Sequence, residues 1–104
     1  NSMERDRLYL LDPEFPDPAL PGRLFHCKDC MVVEGLLAVF PRLASGIDVV
    51  RVPFPRPRAE VVAALGVENQ NLPALIFAGG GFVNEIESVL RALHERHGFP
   101  ERHP

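Results

Sequence analysis

The 104-residue sequence predicts an α/β domain built on a four-stranded mixed sheet with helices on both faces. Three observations lead there. Short apolar or β-branched runs alternate with helical periodicities in the order β-α-β-α-β-β-α. The first two strands are joined through a helix, a crossover that makes them parallel. A triple glycine at 79–81 then allows a tight reversal into the last strand.

Leu8 to Leu11 is an almost wholly apolar run ended by Asp12-Pro13, as suits a central strand covered on both sides. Residues 12–26 form a Pro-rich loop, far longer than the usual connection of roughly 2–6 residues. Two readings of it stay open. It is a lid or partner surface beside Cys27, or a rigid insertion packed down by Phe15, Leu20, Leu24 and Phe25 and stiffened by its prolines.

Val33, Leu36, Leu37 and Phe40 recur at i, i+3, i+4 and i+7, which predicts a helix from about Cys27 to Ala44, stopped at Gly46. Ile47 to Val52 is short and β-branched and reads as the second strand. Pro57 suits the first turn of a second helix carrying Val61, Val62 and Leu65 and ending at Gly66. Leu75 to Phe77 follows Leu72-Pro73 as the third strand, and Phe82 and Val83 make the fourth. In the last helix Asn84 is expected to cap, with Glu87 as its capping-box partner. Ile86, Val89, Leu90 and Leu93 form the buried stripe, and Gly98 with Pro100 ends the helix.

One apolar core of this size implies a single domain over 3–104, with Asn1 and Ser2 left out of the fold argument. Eleven Lys plus Arg are scattered among 14 Asp plus Glu, giving a net charge of −3 and no basic stripe, which argues against nucleic acid as partner. No apolar run approaches the roughly 20 residues of a membrane span, and no charged-then-apolar leader opens the sequence, so neither a membrane partner nor export is expected. A cytoplasmic location follows as the expectation. In that compartment two cysteines three apart are a redox or metal-binding pair rather than a secreted framework.

The spacing of Cys27 and Cys30 permits a disulfide. Cys30 lies on the same stripe as Val33 and points inward, whereas Cys27 sits at the open helix start. There the unpaired N–H groups, the helix dipole and Lys28 favour a thiolate, while Asp29 opposes it. A pair of packed, redox-silent thiols is the competing reading. A metal site is a third, with His26, His94 and His97 as further ligands. The last helix runs away from the cysteines, however, leaving His94 about 15 Å along it at 1.5 Å per residue. Such a site would need two chains, or an iron-sulfur cluster bridged between subunits. His26 can donate to a Cys27 thiolate or serve only as a polar loop residue, and His94 and His97 suit the negative end of their helix.

The element order, the Cys-x-x-Cys at a helix start and the Leu72-Pro73 before the third strand resemble the thioredoxin-like superfamily in its short, glutaredoxin-like form. The Pro-rich loop, Phe25-His26-Cys27-Lys28-Asp29-Cys30 and Glu68-Asn69-Gln70-Asn71-Leu72-Pro73 also look like a small bacterial family of thioredoxin-like proteins of unknown function. Leu72-Pro73-Ala74-Leu75, Gly81-Phe82-Val83 and Glu87-Ser88 are similar to the N-terminal domain of glutathione transferases.

These resemblances imply a cis Pro73, a Leu72 backbone that pairs with an extended thiol substrate, and Glu87 and Ser88 as contacts for the γ-glutamyl end of glutathione. Lys28-Asp29 matches neither the Gly-Pro of thioredoxins nor the Pro-Tyr of many glutaredoxins, and the triple glycine lengthens the segment before Glu87. The expectation is a thiol-disulfide oxidoreductase with Cys27 and Cys30 catalytic, His26 and Lys28 modulating, and no resident cofactor or metal. Glutathione is a co-substrate and protein or glutathione thiols and disulfides are partners. A domain this small is also compatible with a homodimer.

Overall fold

The structure, a computed structural model, describes residues 4–104; the expected domain start at Met3 lies outside them. Its elements are β1 (Arg7–Leu11), β2 (Phe15–Pro16), β3 (Leu24–Phe25), α1 (Lys28–Val39), α2 (Pro41–Ala44), β4 (Asp48–Val52), α3 (Ala59–Leu65), β5 (Ala74–Ile76), β6 (Phe82–Val83) and α4 (Ile86–His97). The chain is thus α/β with a four-stranded mixed sheet in the order β4-β1-β5-β6, and a separate β2-β3 hairpin.

β1 is the centre of the sheet. It runs parallel to β4, with Leu11 opposite Val52, and antiparallel to β5, with Leu8 opposite Leu75. Leu8, Tyr9, Leu10 and Leu11 are all buried. Since successive strand residues point to opposite sides, both faces of β1 are covered. Val33 and Leu37 of α1, Val61 of α3, and Val89 and Leu93 of α4 supply the covering layers, with Phe99 behind them edge-on to Phe40.

Two expectations about helices are corrected. The first helix does not run unbroken to Ala44, because a residue before proline is pushed out of the helical region. Phe40, before Pro41, has φ −118° and ψ 63°, and α2 starts afresh from it. Pro57 precedes α3 rather than entering its first turn, and Arg58 takes the N-cap position.

The Asn84–Glu87 capping box is also absent. Glu85 is the N-cap of α4, with no side-chain cap. The Asn84 carbonyl instead accepts from Asn71 Nδ2 at 2.7 Å, and Glu87 pairs with Arg102. The Asn71 bond ties the segment before Leu72-Pro73 to the start of α4.

The glycine signals are realised as turns. Gly79, Gly80 and Gly81 all have positive φ, a region open to glycine at little cost, and the Phe77 N–H donates to the Gly81 carbonyl to close the β5-β6 reversal. No described helix is long and apolar enough to cross a membrane.

Candidate functional site

β1 and β4, being parallel, both end at one edge of the sheet, and the chain leaves each of them for a helix. The first connection is the Pro-rich loop. Within it β2 and β3 pair as Phe15 with Phe25 and Pro16 with Leu24. Phe15 is buried and stacks on Phe54 at 4.5 Å between centroids and 7° between planes. The loop is therefore fastened to the next connection, 53–58, while Leu20 and Leu24 remain exposed.

Two residues after β3, Cys27 becomes the N-cap of α1 through its sulfur. Cys27 Sγ accepts the Cys30 N–H at 3.2 Å, doing the work that a Ser or Asp oxygen does at most helix starts. Cys27 is partly exposed and Cys30 is fully buried. The structure thus brings the two predicted cysteines together, one reachable and one enclosed.

Their environments drive them apart. Cys27 is lowered from 9.0 to about 6, chiefly by the Cys30 thiol as hydrogen-bond donor. Burial works against this, the N–H groups of Cys30 and Asp29 reinforce it, and the Asp29 charge opposes it. The Cys30 thiol is pushed far above the ordinary range, first by its hydrogen bond to Cys27 and then by burial, with the Leu11 backbone acting the other way. The contact with Leu11 puts the pair at the end of β1.

His26 and Lys28 flank Cys27 and are exposed. Lys28 is not among the largest influences on Cys27; the helix-start N–H groups are. Leu72 and Pro73 are buried immediately before β5, and the Leu72–Pro73 bond is cis, as is Arg56–Pro57. Glu87 lies exposed at the start of α4, 2.6 Å from Arg102, with half-buried Ser88 beside it.

The other two candidate metal ligands lie elsewhere. His94 Nδ1 is 2.9 Å from the Phe99 carbonyl, and His97 Nε2 is 2.7 Å from Asp6 Oδ2. Among the described residues no three His, Cys, Asp or Glu side chains gather as a metal site.

One residue of this edge is invisible to motif reading. Arg58 is only 7% exposed. Its N–H donates to Gln70 Oε1 at 2.7 Å, Nη1 to the Gln70 carbonyl at 2.7 Å and Nε to the Phe54 carbonyl at 2.9 Å. The guanidinium also lies over the Phe54 ring, 5.5 Å from its centroid. The signal available in the sequence was an arginine directly after Pro57, where a helix start favours an anion.

A family model described as a protein of unknown function (DUF3088) matches residues 5–81, which takes in Cys27, Cys30, Arg58, Leu72 and Pro73 but not α4. No curated protein and no solved structure matches the chain.

Proposed function

The chain belongs to the DUF3088 family of proteins of unknown function, and we propose that it is a single thioredoxin-like domain acting as a thiol-disulfide oxidoreductase. The observation that carries this reading is the N-cap sulfur: Cys27, partly open and held at 3.2 Å from a helix N–H, beside a fully buried second thiol. A sulfur lowered to about 6 is thiolate at neutral pH, and the thiolate is the attacking form.

In the proposed reaction the Cys27 thiolate attacks one sulfur of a disulfide. A bond forms from Cys27 Sγ to that sulfur, the old sulfur-sulfur bond breaks, and the first thiolate departs. The Cys30 thiol then gives up its proton, which goes to a departing thiolate, and its sulfur attacks Cys27 Sγ. A Cys27–Cys30 disulfide forms and the second thiol leaves, so the substrate gains two electrons that the cysteine pair has lost. The raised Cys30 value keeps that residue a thiol until the mixed disulfide has formed.

Leu72 and Pro73 are the proposed substrate-binding segment. Among the described residues no hydrogen bond engages the Leu72 N–H or carbonyl, so neither is committed within the chain, as pairing with an extended substrate requires. Glu87 and Ser88 are proposed as further contacts for glutathione, which would release Glu87 from Arg102. Protein or glutathione disulfides in a reducing, cytoplasmic setting are the substrates of this reading.

Equilibrating the reduced protein in graded glutathione buffers and trapping free thiols tests the proposal. It expects a single intramolecular disulfide to form over a defined range of buffer potential. A pair that stays reduced throughout contradicts it. The second reading, a redox-silent binding module, is favoured by the hairpin anchored next to Cys27 through Phe15, and it predicts that contrary result.

A further inference from the structure

Buried charges in proteins are normally paired, because an ion taken from water without a partner is costly. Arg58 breaks that rule. It is more than nine-tenths buried, yet among the described residues it forms no ion pair with a carboxylate. Its position compounds the cost, since it caps the start of α3, where the helix dipole repels a cation. The Phe54 carbonyl occupies Nε and the Gln70 carbonyl Nη1, so the fork is fixed in place.

Nη2 alone has no acceptor among the described residues. No described buried polar side-chain atom is left without a partner, so this nitrogen keeps some contact with solvent. Arg58 also borders a cavity of about 230 Å³ walled by Val52, Pro53, Pro55, Pro57, Ala59 and Glu60. Glu60 is the one carboxylate of that lining, and no ion pair joins it to Arg58 among the described residues. Val52 pairs with Leu11, the residue whose backbone meets the Cys30 sulfur, so cavity and cysteines share one edge of the sheet.

We propose that Arg58 is a specificity-determining residue of the cysteine site, receiving on Nη2 a carboxylate carried by the thiol or disulfide that reacts at Cys27. The proposal rests on Cys27 being the attacking sulfur. Burial, first, and the Arg56 charge, second, lower the Arg58 pKa, whereas negative charge on Cys30 or Cys27 raises it. The guanidinium therefore lies within electrostatic reach of both sulfurs. With Nε and Nη1 already engaged, a carboxylate binds here through Nη2 alone, as a charge-assisted hydrogen bond without the bidentate fork.

The chain as a whole carries a net charge of −3 and Asp29 adjoins the cysteines, while Lys28 and Arg56 are cations of the same region. The part played by Arg58 is therefore read from the change in preference when it alone is replaced.

The test compares three small disulfides on the reduced, full-length chain: dithiodipropionate (anionic), hydroxyethyl disulfide (neutral) and cystamine (cationic). The rate of mixed-disulfide formation at Cys27 is expected to be about tenfold higher for the anionic compound than for the neutral one, the effect of one charge-assisted hydrogen bond. Arg58→Gln should abolish the ratio, Arg58→Lys should keep part of it, and salt should reduce it in the unmodified protein. A preference for cystamine, or an unchanged ratio in Arg58→Gln, overturns the role of Arg58 while leaving the redox reading standing.

Reaction with none of the three defeats the redox reading instead. Arg58 is then read separately, by the NMR shift of its Nε–H when dithiodipropionate is added to Cys27→Ser. A saturable shift supports carboxylate binding, and no shift overturns it.

Discussion

At the Arg7 end of β1 the Asp6 carboxylate is buried and saturated. Arg96 donates to it twice, at 2.7 and 2.8 Å, His97 Nε2 lies at 2.7 Å, and the Ala78 N–H adds a fourth contact at 2.7 Å. At the Leu11 end the Arg58 guanidinium is nearly as buried but is held by neutral carbonyls alone. The first charge ties β1, the β5-β6 turn and the end of α4 together and has nothing left to offer. The second is rigid and incomplete, at the end of the sheet where Cys27 is partly open. On the proposal made above, the difference separates a charge used for folding from one kept for binding.

Stability measurements should divide the two. Asp6→Ala removes the anion from a cluster of three donors and is expected to cost about 2–3 kcal/mol in denaturant unfolding, toward the low end of buried-pair losses because Arg96 remains partly in water. The unmodified protein should also weaken in acid. Arg96, above all, holds the Asp6 carboxyl well below the usual carboxylate range, with burial opposing and Ala78 and His97 assisting. A depressed carboxyl stabilises above its unfolded value and loses that contribution as pH falls, so the loss should begin near pH 4 and be missing in Asp6→Ala. A flat acid profile in the unmodified protein would remove the contrast.

Arg58→Met should cost less than half as much, about 1 kcal/mol, since losing hydrogen bonds to two carbonyls is offset by no longer burying an unpaired charge. A loss equal to that of Asp6→Ala would make Arg58 a folding residue. The smallest effect is expected at Glu87→Gln. Its pair with Arg102 joins side chains 69% and 57% exposed, and unfolding should shift by no more than about 0.5 kcal/mol.

The sequence revealed what depends on local pattern. The central apolar strand, the parallel crossover, the Gly66 and Gly98 stops and the Phe82–Val83 strand follow from periodicity and glycine punctuation, and the structure has them all. The Cys27–Cys30 pair was legible for the same reason, because its geometry is set within one helical turn. The hairpin of residues 15–25 was not, since two strands of two residues each carry no periodicity and are held by Phe54, far along the chain.

Both buried charges escaped for a related reason. Asp6 meets Arg96 and His97 across some 90 residues, and Arg58 meets Gln70 across 12. His97 was expected to suit its helix end or to join a metal site, and it closes the Asp6 cluster instead of approaching the cysteines. Nothing local marks a charged residue as buried.

The most direct trial of the central claim is the pH dependence of iodoacetamide labelling on the reduced native protein, with each cysteine followed by mass spectrometry. Cys27 should gain reactivity with a midpoint of about 6 while Cys30 stays unlabelled. Because the lowered thiol binds its proton less tightly when folded, the reduced protein should also gain stability from pH 6 up to 9. A labelling midpoint near 9, or equal labelling of the two sulfurs, would contradict the assignment of Cys27 as the attacking thiolate.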